Sequence, residues 1–125
     1  MNGTNTIIEV TDRTIGEVLA AERAILILAK TTCANCRAYQ ADIEARLARG
    51  EFEGFTIARL YLDRPGAPRF KQANPWIARL EFVPYTLLYR NGEIVDQFAA
   101  SKGSYLVERV EEAFGEQAAA EARAA

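Results

Sequence analysis

Two cysteines are separated by two residues in Cys33-Ala34-Asn35-Cys36, and they are the only cysteines in the 125-residue chain. An apolar run at residues 24–29 suits a buried strand, and Tyr39, Ile43 and Leu47 follow the cysteines at helical spacing. We therefore expect the pair at the start of a helix that follows a strand. Unpaired backbone N–H groups and the helix dipole stabilise a thiolate there, and the thiolate attacks disulfides. Position and spacing together predict thiol–disulfide exchange.

Structural roles for the same two cysteines are weaker interpretations. Two buried, inert cysteines can share a helix by chance. A structural zinc site needs about four ligands, and the chain has two cysteines and no histidine, so a site would require carboxylates or a second copy of the chain. A permanent disulfide across so short a loop would constrain the unfolded chain little. We therefore expect no metal and a redox-active pair.

Composition and length restrict the class of protein. The chain is 50% hydrophobic and 26% charged with a net charge of −2, which predicts a single globular domain spanning residues 1–125. No basic block suggests nucleic acid, and no apolar run approaches the ~20 residues that span a bilayer. The N-terminus lacks the pattern of a signal peptide, which predicts a cytoplasmic protein, here interpreted as a monomer. Residues 116–125 either extend the last helix or fray.

Periodicity and turn residues predict an alternation of strands and helices. Gly50 should end the cysteine helix, and Asn91-Gly92 is a strong hairpin signal. We predict strands at 6–10, 24–29, 55–63, 85–90 and 93–99, helices at about 14–23, 33–49 and 101–114, and one or two short helices within the irregular stretch 64–81. Parallel strands come first and a hairpin last, so the sheet should be mixed, with helices on both faces.

This order of elements, with its motifs, resembles the thioredoxin family over nearly the whole chain. The motifs that carry the resemblance are the dithiol Cys33–Cys36, the strand ending in Asp63, the segment 82–93 with Val83-Pro84 before a hairpin, and Ser101-Lys102-Gly103 before the last helix. The resemblance implies an α/β fold of the thioredoxin-like kind, a three-layer α/β/α sandwich with a mixed central sheet.

The same resemblance implies roles for particular residues. Cys33 would attack a protein disulfide and Cys36 would resolve the mixed disulfide, with no cofactor beyond this redox-active disulfide. Pro84 would be cis and face the dithiol, while the backbone of Val83 would pair with a substrate. The implied substrate-binding residues are Thr32, Ala34, Asn35, Val83 and Pro84. The implied partners are proteins with disulfides and a reductase that recycles the dithiol.

Departures from the family pattern affect the expected chemistry. Thr32 replaces the tryptophan beside the nucleophile, and Ala34-Asn35 replaces the family's Gly-Pro, which tunes the redox poise. Ile27 occupies the place of a buried aspartate that accepts a proton from the resolving thiol, and Arg59 lies where that aspartate's lysine partner would be, with nothing to pair with. Water or an unidentified carboxylate must therefore take the Cys36 proton.

These departures leave alternatives open. The protein could be a disulfide oxidant or isomerase, or a binding module whose dithiol senses redox state. Lys30 either raises the positive potential near Cys33 or is simply solvated, and Trp76 either covers the site or fills the core. The favoured interpretation is a thioredoxin-like protein-disulfide reductase, slower than a typical thioredoxin.

Overall fold

The computed structural model describes residues 6–115, and the prediction for residues 116–125 lies outside this range. The elements are β1 (Ile7–Glu9), α1 (Ile15–Ala20), β2 (Arg23–Ala29), α2 (Ala34–Ala48), β3 (Thr56–Tyr61), α3 (Pro68–Ala73), a 3-10 helix (Pro75–Arg79), β4 (Tyr85–Arg90), β5 (Glu93–Ala99) and α4 (Gly103–Phe114).

The five strands form one mixed sheet in the order β1-β3-β2-β4-β5. β3 pairs in parallel with both β1 and β2, whereas β4 pairs antiparallel with β2 and with β5. Residue Ile27 of the central strand β2 lies beside Arg59 of β3 and Thr86 of β4. Because neighbouring residues in a row share one face of a sheet, these three side chains emerge on the same side.

Helices cover both faces, so the expected three-layer α/β/α arrangement is confirmed. One core layer joins α2 and α4 to the sheet, through residues such as Tyr39, Ile43 and Leu106. The other layer joins α1, α3 and the 3-10 helix to the opposite face, through Val18 and Phe70 among others. β2 is buried on both faces from Ala24 to Ala29, which explains its continuous apolar sequence.

Turn residues end the elements where the sequence predicted. Gly50 follows α2 with φ +85°, a left-handed conformation that glycine adopts without steric cost. Asn91 and Gly92 both have positive φ, 50° and 84°, as a two-residue hairpin of the tight primed type requires. The hairpin strands β4 and β5 have the predicted bounds.

Several element boundaries differ from the sequence predictions. α1 ends at Ala20, and Arg23 already belongs to β2. β1 and β3 are shorter than predicted because each is limited by its partners: β1 pairs over only three residues, and β3 ends at Tyr61. In the irregular stretch, Trp76 packs against the core layer of α1 and α3 and meets Tyr85 edge to face at 6.1 Å. Trp76 is partly buried against this core layer and does not line the cavity beside the dithiol.

Candidate active site

The two cysteines lie at the start of α2, as predicted. Cys33 is the residue that caps the helix: its backbone is extended, and its Sγ accepts the backbone N–H of Cys36 at 3.0 Å. The Cys33 side chain is partly exposed, whereas Cys36 is buried at 4% exposure. The two sulfurs are not joined. The Cys33 sulfur therefore lies at the start of the helix with a backbone N–H aimed at it.

The loop before Cys33 is held at its centre by polar contacts. Thr31 donates its N–H to both Asp63 carboxylate oxygens at 3.0 Å and its hydroxyl to Oδ2 at 2.6 Å. Its carbonyl accepts an N–H from the Arg37 guanidinium at 3.2 Å. The hydrogen bonds from Thr31 side chain and backbone lower the pKa of Asp63, so this carboxylate is ionised at neutral pH. Asp63, two residues after β3, thereby holds in place the loop that leads to Cys33.

Val83 and Pro84 lie across from the dithiol, with the peptide bond between them in the cis form. The Cys33 Sγ is 3.8 Å from the Val83 carbonyl oxygen. A cavity of about 200 Å³ opens here, lined by Asn35, Phe82, Val83, Pro84, Ala99, Ala100 and Ser101. The cavity brings together three of the five predicted substrate-binding residues. Thr32 and Ala34 are exposed beside Cys33 and do not line it.

Two features of this region were missed by sequence reasoning. Phe82 lines the cavity and is 72% exposed; its place two residues before Pro84 was the available signal. Ala99 to Ser101, at the end of β5, form another wall, and only the strand order brings them to the dithiol. Lys30 is exposed and lines a different cavity of about 290 Å³, together with Lys71 and apolar residues.

Burial controls the protonation of the resolving thiol. Desolvation, and next the hydrogen bond with Cys33, raise the pKa of Cys36 from 9.0 to about 11. Among the described residues, the groups that shift this pKa include no carboxylate. Cys36 is therefore a neutral thiol at pH 7 and must lose a proton before it can attack.

Differential labelling should separate the two thiols. Brief treatment of the reduced protein with iodoacetamide is expected to modify Cys33 first, because its sulfur is accessible and receives the N–H of Cys36. Peptide mapping by mass spectrometry gives the ratio of the two products. Preferential modification of Cys36 would reverse the roles assigned to the cysteines.

A buried hydroxyl pair lies beside Ile27, the position at which the family resemblance implies a carboxylate. Ile27 lies on the α2 face of the sheet, and beside it the Thr86 hydroxyl hydrogen-bonds the Tyr39 hydroxyl at 2.9 Å. Burial raises the pKa of Tyr39 to about 12, so the phenol stays protonated and cannot serve as a base at neutral pH. The interior next to α2 is thus polar but uncharged at this point.

Arg59, on the other side of Ile27, is not unpartnered as the sequence suggested. Its guanidinium donates to Gln40 of α2 and to Glu9 of β1, the latter at 3.3 Å. It also lies over the Tyr61 ring, 4.4 Å from the centroid. The sequence concealed Gln40 and Glu9 because they come from two other elements, α2 and β1. Its Nε is buried without a hydrogen-bond partner.

Substitutions of Tyr39 and Thr86 should have non-additive effects on the free energy of unfolding, because the two hydroxyls hydrogen-bond each other. Tyr39→Phe or Thr86→Val leaves one buried hydroxyl without its partner, which should cost about 1–3 kcal/mol of unfolding free energy. The double variant removes both hydroxyls and should cost clearly less than the sum of the single changes. Urea unfolding of the four reduced proteins tests this. Additive costs would mean that the two hydroxyls do not depend on each other.

Within residues 6–115, no group of three or more His, Cys, Asp or Glu could hold a metal ion. In the same range, no helix is long and apolar enough to cross a membrane.

The strand order, the helix layers and the position of the dithiol define a thioredoxin fold with a Cys-x-x-Cys site. A thioredoxin of Halobacterium salinarum superposes with a TM-score of 0.70 at 15% identity, covering 90% of this chain and 95% of that one. Spinach chloroplast thioredoxin f gives 0.69 at 16%, covering 91% and 99%, and Chlamydomonas reinhardtii thioredoxin f2 gives 0.68 at 11%, covering 89% and 99%. No family model and no curated protein sequence matches the chain. At these identities the likeness shows the fold alone.

Proposed function

We propose that this chain is a thiol–disulfide oxidoreductase that reduces protein disulfides through Cys33 and Cys36. The observation that carries the proposal is the environment of the Cys33 sulfur, which is partly exposed and accepts the Cys36 N–H at the start of α2. This environment leaves the Cys33 sulfur accessible to a substrate disulfide. Cys36, buried one turn further along the helix, is suited to the second step.

In the first step, the Cys33 thiolate attacks one sulfur of the substrate disulfide. The substrate S–S bond breaks, a mixed disulfide forms between Cys33 and the substrate, and the other substrate sulfur leaves as a thiolate that water protonates. An extended substrate segment beside Cys33 would meet the Val83 carbonyl, which lies 3.8 Å from the Cys33 sulfur. A backbone N–H of the substrate can donate to this carbonyl and orient the disulfide.

In the second step, Cys36 loses its proton to water and attacks the Cys33 sulfur. The mixed disulfide breaks, the second substrate sulfur leaves, and a Cys33–Cys36 disulfide forms, so two electrons have passed to the substrate. A separate reductase would return two electrons and two protons to the chain. Such a cycle suits a reducing compartment, and we place the protein in the cytoplasm as a monomer.

The reduction potential of the dithiol distinguishes a reductase from an oxidant or isomerase, because strong oxidants of this chemistry have a stabilised reduced form. Equilibration with glutathione measures the potential directly. A value near about −270 mV supports the reductase, and a value of about −120 to −180 mV would identify an oxidant or isomerase.

Reduction of insulin by dithiothreitol tests the proposed activity. The protein should accelerate precipitation of the insulin B chain, more slowly than a typical thioredoxin does. Cys33→Ser should abolish the acceleration. In the absence of dithiothreitol, the reduced Cys36→Ser protein should accumulate a covalent complex with insulin, which added dithiothreitol should cleave. An activity unchanged in the Cys33→Ser protein would exclude the proposed mechanism.

A further inference from the structure

Phe82 is the most exposed of the large hydrophobic residues within the described range, at 72%. Exposure of a single apolar side chain is common and needs no explanation by itself. The position of Phe82 is what distinguishes it. It precedes Val83, whose carbonyl lies beside the Cys33 sulfur, and it lines the cavity next to the dithiol.

The side chains that line that cavity are mostly apolar. Its seven lining residues comprise five apolar side chains with Asn35 and Ser101, and none is charged. A charged group that entered would lose hydration without gaining an ionic partner from these side chains. The volume of about 200 Å³ suits one large side chain, since cavities for drug-sized ligands start at about 300 Å³.

The residue directly before the nucleophile offers little apolar surface. Thr32 is small, polar and exposed. Phe82 presents the largest exposed apolar side chain at the cavity beside the dithiol. Aromatic side chains are effective anchors because they present a large apolar area with few rotatable bonds.

We propose that Phe82 determines specificity, selecting protein disulfides whose attacked cysteine has an aromatic or aliphatic residue within two positions. This proposal rests on the proposed reduction of disulfides by Cys33. The substrate residue packs on the Phe82 ring in the cavity while the substrate backbone lies along Val83. Phe82 acts on binding and takes no part in the transfer of protons or electrons.

The test uses two synthetic peptides, each closed by an internal disulfide, with leucine or with serine at the two positions on either side of both cysteines. Hydroxyethyl disulfide is the third substrate, since it has no side chain to fill the cavity. Oxidation of the reduced dithiol is followed in single turnovers, quenched with acid and alkylated. The rate at saturation and the half-saturating concentration are obtained separately.

The wild-type protein should favour the leucine peptide about tenfold at low concentration. In Phe82→Ala this preference should fall below about twofold, through a higher half-saturating concentration with an unchanged rate at saturation. Phe82→Leu should restore most of it. Val95→Ala is the matched control, because Val95 is 43% exposed but lies four residues from Ala99, on the order of 13 Å along β5. It should retain the full preference.

The outcomes distinguish failure of the proposed role of Phe82 from failure of the proposed reduction of disulfides. If hydroxyethyl disulfide oxidises the dithiol but the wild-type protein treats both peptides alike, the role of Phe82 is wrong and the proposed reduction stands. A preference that persists in Phe82→Ala also refutes the role of Phe82. If neither the peptides nor hydroxyethyl disulfide oxidises the dithiol, the proposed function itself fails, and the specificity proposal fails with it.

Discussion

Release of the substrate from its mixed disulfide with Cys33 is expected to accelerate about tenfold for each unit of pH between 7 and 9. Burial raises the pKa of Cys36 to about 11, so only about one thiol in ten thousand is ionised at pH 7. The thiolate is the attacking species, and its fraction rises in proportion to hydroxide. Burial is the largest cause of the shift, so we expect the pKa of Cys36 to stay above its ordinary value when Cys33 is in a mixed disulfide.

Rapid acid quenching and mass spectrometry can follow the mixed disulfide as it forms and decays. The logarithm of the decay rate should rise with pH with a slope near one. Cys36→Ser provides the control, since its mixed disulfide should persist at every pH in this range. A decay rate that does not change from pH 7 to pH 9 would show that a group other than hydroxide takes the Cys36 proton.

Ile27→Asp should place a proton acceptor on the α2 face of the sheet, at a cost in stability. The new carboxylate would be buried beside Arg59, whose guanidinium is already engaged with Gln40 and Glu9. We expect the free energy of unfolding to fall by about 3 kcal/mol. General base catalysis by a positioned carboxylate is typically worth about 10²-fold or more, so resolution near pH 7 should quicken by about that factor.

Ile27→Asn is the matched control for this change. It buries a polar side chain of the same size, so it should lose stability on a similar scale, but it offers no base and should leave the rate of resolution unchanged. The carboxylate should also flatten the dependence of resolution on pH. An unchanged rate in a well-folded Ile27→Asp protein would mean that another group already accepts the proton of Cys36.

Most of the fold follows from local sequence signals. The apolar run of β2, the hairpin residues Asn91-Gly92 and the terminal Gly50 each act over a few neighbouring residues, and the structure has each where it was predicted. The place of the dithiol at the start of α2 was predicted for the same reason. Element ends were less accurate, because pairing with a neighbouring strand decides where a strand stops.

The environment of the dithiol could be predicted only in part. The sequence alone shows that Ile27 cannot act as a base. The hydroxyl pair of Tyr39 and Thr86 could not be predicted, because these residues are 47 positions apart and meet only when α2 packs against β4. The partners of Arg59 likewise come from β1 and α2. An exposed Phe82 cannot be told from a core phenylalanine by type alone, since only the fold decides which side chains remain uncovered.

Three buried acidic groups that stay protonated in the folded chain make the protein less stable at high pH. Cys36, Tyr39 and Tyr89 all have a raised pKa because they are buried, so the folded chain holds these protons more tightly than the unfolded chain does. Their contribution to stability is complete below about pH 9 and is lost progressively as the pH rises toward 11 and 12. A rise in pH thus speeds the attack of Cys36 and also lowers the free energy of unfolding. The highest pH at which the protein can work is therefore set by its loss of stability.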